Sequence, residues 1–139
     1  MADKILVELV TPANVVLTRE VDMVVVPGGD GDFGVLPGHS PLLSTLRPGV
    51  VDIYEAGSVS DSVFCADGFA EATDARVTIL AEDTLAMSEA TAEAVDARLA
   101  EARRLLDEAE DDGERAAGER ALGTAEALAH ALERRDRRP

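Results

Sequence analysis

The stretch PGGDGDFGVLPGHSP, Pro27 to Pro41, holds five glycines, two aspartates and one of the chain's two histidines. Three chemistries could use such residues. The first is calcium binding. An EF-hand needs Asp-x-Asp-x-Asp-Gly with a Glu at position 12, and that pattern is absent; a glycine–aspartate calcium repeat needs an acidic residue where Phe33 stands and tandem copies where this chain has one. The second is phosphate binding. It needs G-x-x-x-x-G-K-[ST], yet the only lysine is Lys4, and Asp30 and Asp32 would repel an anion. The third is catalysis. His39 beside Ser40 suggests part of a triad, but His130 falls in a distant helical segment, Cys65 sits in an apolar run, and no G-x-S-x-G occurs. No base, nucleophile and oxyanion donor come together. A mechanical reading remains. Glycines allow positive φ or close backbone approach, Pro37 and Pro41 stiffen the flanks, DFGVL is a short extended piece, and Asp30 and Asp32 point outward. Such a loop either shows a surface to a partner or only turns the chain.

The elements that must position this loop follow from a change in composition near Ser88. Residues 1–88 hold fourteen valines, whereas residues 89–139 hold one valine and fourteen alanines. β-Branched residues suit pleated strands and alanine suits helices. The fold class is therefore all-β followed by α, with a β domain over residues 1–87 and an α-helical hairpin over residues 88–139. Short runs separated by turn signals make up the first part: KILVELVT, NVVLTRE, VDMVVVP, LLSTLRPG, VVDIYEA, SVSDSVFCA, GFAEATD and ARVTILAED. Their spacing predicts a sandwich or flattened barrel. Alternation is imperfect, as expected where strands are covered on both faces.

In the second part Ser88 is the expected N-cap, and Val95, Leu99, Ala102, Leu106 and Ala109 form one apolar stripe. EDDG at 110–113 breaks the helix, with Asp111 and Glu114 at capping-box spacing. Ala117, Ala121, Ala125, Leu128 and Leu132 stripe the second helix, and Arg134, Arg135, Arg137 and Arg138 favour its C-terminus. An alanine stripe anchors thinly, at about 0.8 kcal/mol per buried CH₂. Gly118 and Gly123 each cost about 1 kcal/mol against alanine. The hairpin reads either as a moving part or as a loosely packed appendage.

The net charge of −15 excludes nucleic acid and a basic patch on anionic lipid as binding modes; a basic protein surface is the better partner. One cysteine cannot make an internal disulfide, which suggests a reducing compartment. No run approaches the roughly 18 apolar residues of a membrane span, and the apolar run before Glu8 is too short for a secretory signal.

Residues 24–51, VVVPGGDGDFGVLPGHSPLLSTLRPGVV, resemble the signature of the F-type ATP synthase epsilon subunit, whose mitochondrial counterpart is called delta. The pattern is a valine-rich strand, a Gly/acidic turn, G-x-L-P-G-H-x-P-L-L and L-x-P-G; GFAE at 68–71 and VTILAED at 77–83 continue it. This resemblance implies a ten-stranded β-sandwich followed by a two-helix antiparallel hairpin. It implies a non-catalytic rotor subunit with no cofactor, peripheral on the cytoplasmic face of the bacterial inner membrane. The implied partners are the gamma subunit, the c-subunit ring and, through the hairpin, the alpha/beta catalytic head. By position, Asp30, Gly31 and Asp32 match the turn that faces the basic loops of the c ring. His39, Pro41, Leu42 and Leu43 match the segment toward gamma.

The resemblance also implies an alternative, an ATP sensor whose hairpin folds or extends with nucleotide. The family motif is Ile/Leu-Asp-x-x-Arg-Ala. Here VDARLA, residues 95–100, keeps Asp96 and Ala100 but places the arginine at Arg98, one position early. That is a rotation of about 100° on a helix. Arg115 and Arg120 on the second helix are the remaining candidate contacts for ATP. A hairpin that restrains ATP hydrolysis needs basic residues against an acidic head, yet residues 89–139 carry nine arginines against fourteen acidic residues, a net −5.

Overall fold

The computed structural model describes residues 3–137. Eight strands come first: β1 (Ile5–Val10), β2 (Val15–Val21), β3 (Met23–Gly28), β4 (Gly31–Val35), β5 (Leu42–Thr45), β6 (Gly49–Glu55), β7 (Ser58–Ala72) and β8 (Arg76–Ala86). A short 3₁₀ turn, Met87–Glu89, precedes α1 (Ala92–Asp107) and α2 (Asp112–Arg137). The chain divides into two compact units between Ala86 and Met87.

The strands join in the order β2-β1-β8-β7-β6-β3-β4, with β5 beside β7. Only β1 and β8 run parallel. Strands β7 and β8 are long enough to change partners along their length. The first half of β7 pairs with β6, from Ser58 opposite Glu55 to Cys65 opposite Gly49, and its last residues, Phe69–Ala72, pair with β5. Likewise β1 pairs only with Arg76–Leu80 of β8. Between the halves Asp67 takes a positive φ of 60°, and the Asp67–Glu82 pair drops out of the ladder while the register on both sides is kept. The next residue has to be glycine: a Cβ on Gly68 would lie 1.7 Å from the Leu80 carbonyl oxygen. The sheet folds over itself at this bend, and a single core of Ile5, Val7, Leu9, Val24, Val26, Val51, Ile53, Val77 and Ile79, all fully buried, fills the space between the layers.

Eight strands replace the ten expected. The runs SVSDSVFCA and GFAEATD are one strand, β7, because its pairing with β8 resumes in the same register on both sides of the kink at Asp67. Strand β8 crosses the same bend unbroken. Ion pairs close one side of the sandwich: Lys4 pairs with Asp22, whose other oxygen accepts from Ala56 N at 2.7 Å, and Arg19 on β2 pairs with Glu55 and Asp61.

In the helical unit, Thr91 rather than Ser88 caps α1, its side chain accepting from Ala94 N at 3.1 Å. Ser88 lies in the 3₁₀ turn instead. Asp111 caps α2 as its spacing suggests, accepting from Glu114 N at 2.7 Å. The stripe of α2 is rotated by one residue at its start, with Gly118 buried and Ala117 exposed. Packing explains the rotation. A Cβ on Gly118 would sit 3.0 Å from Leu106 Cγ and Cδ2 and 3.2 Å from Leu106 N, so the two helices pack tightly at this glycine. Gly123 is exposed with nothing near it, and it carries only the helix penalty.

Two outcomes are expected. Gly68→Ala should remove on the order of 4 kcal/mol or more from the sandwich, seen as loss of the cooperative urea transition. Gly123→Ala should raise hairpin stability by up to about 1 kcal/mol, whereas Gly118→Ala should give no such gain; thermal melts of the two variants by circular dichroism make the comparison.

Candidate interaction surfaces

Strands β3 and β4 are joined by a two-residue turn, Gly29-Asp30, closed by the pair Gly28–Gly31. Gly31 has φ 132°, which side chains disfavour. The turn lies against the segment after β5. Gly29 N donates to Thr45 O at 2.9 Å, Arg47 N donates to Pro27 O at 2.9 Å, and Arg47 Nη1 donates to Gly28 O at 2.8 Å. Arg47 Nη2 pairs with Asp32. A Cβ on Gly29 would fall 2.6 Å from Thr45 Oγ1, so a side chain here would push the Thr45 hydroxyl aside. The tip is therefore held in place by backbone bonds, and its two aspartates differ. Asp32 is engaged by Arg47. Asp30 is exposed and has no hydrogen bond or ion pair among the described residues. Arg47 was invisible in the sequence reading because it sits inside the L-R-P-G step, which looked like turn punctuation.

The segment toward β5 is anchored differently. Gly38, with φ 87°, donates its N–H to Asp74 O at 2.7 Å, and His39 N donates to Leu36 O at 3.1 Å. The His39 ring is half-buried, and its Nδ1 donates to Ser40 O. Pro41, Leu42 and Leu43 are exposed, Leu43 at 67%.

Beside Leu43 lies a feature that the loop alone did not announce. Thr45 stands opposite Phe69, Phe69 opposite Leu80, Leu80 opposite Val10, and Val10 opposite Val15. Directly paired residues share a face, and Leu43 shares that of Thr45. From Phe69 an apolar row thus crosses four strands, β7, β8, β1 and β2, on the outside of the sandwich, with Thr45 at its β5 end. Phe69 is 46% and Val15 66% exposed, with Leu80 and Val10 half-buried between them. The neighbouring row starts with Leu43 on β5, opposite Glu71, and is polar beyond it: Glu71, Thr78, Glu8 and Thr18, with Arg76 paired to Glu8 at 3.1 Å. Single exposed apolar residues are ordinary, but a connected band with a polar rim marks an interaction site. Its signal in the sequence is KILVELV, where both phases of the alternation are apolar.

The nucleotide candidates do not converge. Asp96 is exposed on α1 and Arg98, one step off that face, is half-buried. Arg115 and Arg120 are exposed on α2, on either side of Gly118. The Gly118–Leu106 contact fixes the register. Asp96 lies ten residues, roughly 15 Å, along α1 from that contact. No group of three metal-ligating side chains occurs among the described residues, and no helix there is long and apolar enough to cross a membrane.

Residues 4–87, which carry both the tip and the apolar band, match the family described as ATP synthase, Delta/Epsilon chain, beta-sandwich domain. The chain belongs to this family. The similarity extends through the hairpin. The ATP synthase epsilon chain of Paramagnetospirillum magneticum is 49% identical over 132 residues, spanning 95% of this chain and 99% of that one. The epsilon chain of Rhodospirillum rubrum is 47% identical over 128 residues, spanning 92% and 96%. Among solved structures, a chain in the Euglena gracilis mitochondrial ATP synthase OSCP/F1/c-ring assembly superposes with a TM-score of 0.77 at 30% identity, covering 93% of this chain and 81% of that one. A chain from the Tetrahymena thermophila mitochondrial ATP synthase central stalk and c ring shares the fold, with a TM-score of 0.70 at 15% identity, covering 94% and 97%.

Within this delta/epsilon sandwich, Cys65 is fully buried in the core, and burial, with Asp83 adding to it, pushes its thiol up to about 12. The thiolate is the reactive form. In native protein at pH 8, a disulfide-exchange reagent should leave Cys65 unmodified, and labelling should appear only with unfolding; fast labelling of the folded chain would show an open core.

Proposed function

We propose that this protein is the non-catalytic rotor subunit that joins gamma to the c ring in a proton-translocating ATP synthase. The observation that carries the reading is the apolar band on the outside of a rigid sandwich, on the same body as an acid-tipped turn. Membership of the delta/epsilon family supports it. So does the likeness to a chain in an assembly described as F1 and c ring.

The two surfaces have different physics. Burying Phe69, Leu80, Val10 and Val15, with Leu43 beside them, against gamma supplies affinity, at roughly 25 cal/mol per Å² of apolar area removed from water. His39, Pro41 and Leu42 border that contact. At the tip, Asp30 and Asp32 with Gly31 between them face the c ring. Exposed charges there orient and steer rather than bind tightly, and Asp30 is the carboxylate left free for a basic loop. Coupling needs both contacts on one body that does not yield, and the continuous strands β7 and β8 supply that stiffness. Catalysis of ATP synthesis belongs to other subunits in this reading, and the protein sits peripherally on the cytoplasmic face of the bacterial inner membrane. The acidic hairpin regulates hydrolysis weakly, because its net charge opposes an acidic head.

The test uses purified gamma and the reconstituted enzyme. Phe69→Glu should weaken gamma binding by at least about thirtyfold while leaving the melting temperature of the free subunit unchanged. Asp30→Lys should leave gamma binding intact and lower proton pumping driven by ATP. Wild-type gamma affinity in Phe69→Glu would overturn the assignment of the band.

A further inference from the structure

The end of α2 carries several arginines, and their usual role is to complement the helix dipole. Arg134 and Arg137 are exposed and fit that role. Arg135 does something else. It is half-buried and reaches back 45 and 48 residues: Nη1 donates to Ala90 O at 2.8 Å and to Met87 O at 2.5 Å. Asp136 Oδ1 holds the other edge of the guanidinium, 3.0 Å from Nε and 2.9 Å from Nη2.

The two carbonyls have little else to bond. The Met87 carbonyl also receives Ala90 N, at a longer 3.2 Å. The Ala90 carbonyl lies outside the ladder of α1, because Ala94 N turns to the Thr91 side chain and Val95 N bonds Thr91 O. A guanidinium suits two diverging carbonyls, since one nitrogen carries two N–H groups in a fixed plane. Hydrogen bonds from a charged donor are also stronger than neutral ones.

The hairpin has two ends, closed by different means. At the turn, Asp111 caps α2 and Gly118 packs on Leu106. The other end is closed by apolar burial: Met87, Ala90 and Val95 are buried there, as are Leu128, Ala131 and Leu132 of α2. Arg135 adds a polar tie across this end.

We propose that Arg135 is a latch. Both of its bonds come from one nitrogen, so they break together. The last turns of α2 and the Met87–Ala90 segment then loosen as one step, while the turn end stays closed. This inference stands apart from the rotor reading and would hold for the free subunit.

Hydrogen exchange read by mass spectrometry on the full chain tests it, with Arg134→Gln as control for losing one charge from the same helix end. Arg135→Gln should speed exchange roughly tenfold in residues 86–95 and 124–137 together, leave residues 104–118 as in wild type, and leave the sandwich strands protected. Arg134→Gln should change little. Three outcomes would overturn the latch: equal behaviour of the two variants, acceleration of all hairpin segments alike, or fraying of residues 130–137 without 86–95. If Arg135→Gln unfolds the whole hairpin, Arg135→Lys, which keeps the charge but not the planar fork, is judged by the same three comparisons.

Discussion

Where β7 passes β8, the two backbones approach so closely that Gly68 cannot be any other residue, since its Cβ would overlap the Leu80 carbonyl oxygen. Much of the molecule depends on this contact. It lets two long strands fold over and serve both layers, so that a core of valines, leucines and isoleucines closes without a tryptophan. It also reaches the candidate site through backbone bonds. Gly68 O accepts from Leu46 N at 3.0 Å. Leu46 bridges to Gly28, and its neighbours Thr45 and Arg47 hold Gly29, Pro27 and Gly28. The acidic tip is thus tied, residue by residue, to the bend in the sheet.

The same bend sets the apolar band. Phe69 follows Gly68 directly, and its outward direction aligns it with Leu80, Val10 and Val15 across the ladder. A strand that turned at Asp67 would have no reason to keep that alignment. One steric constraint therefore presents both an apolar surface and a charged point on one scaffold. Affinity and orientation are then set by separate residues, and either can change without disturbing the other.

The helical unit follows a different logic. Few side chains on α1 are fully buried, and one tight helix contact is made by a glycine. Where apolar burial is thin, single polar contacts weigh more in deciding which segments open first. That is why Arg135 matters here, whereas the surface ion pairs of the sandwich, such as Arg76 with Glu8, add little beyond the core.

The sequence alone determined the order of β and α units and most strand positions, because valine runs and alanine stripes differ in period and propensity. It also showed that the calcium, phosphate-loop and G-x-S-x-G patterns are missing, since residue types are visible without coordinates. Asp111 as a cap and Asp30 as an outward charge were legible for the same local reason. What only the tertiary structure decided depends on residues far apart in the chain. Strand number turned on the bend at Gly68. The meaning of Gly118 turned on Leu106, and the engagement of Asp32 on Arg47. The apolar band exists only because four strands place Phe69, Leu80, Val10 and Val15 side by side. Register between distant strands and the approach of distant backbones are set by packing, and no local pattern of residue types encodes them.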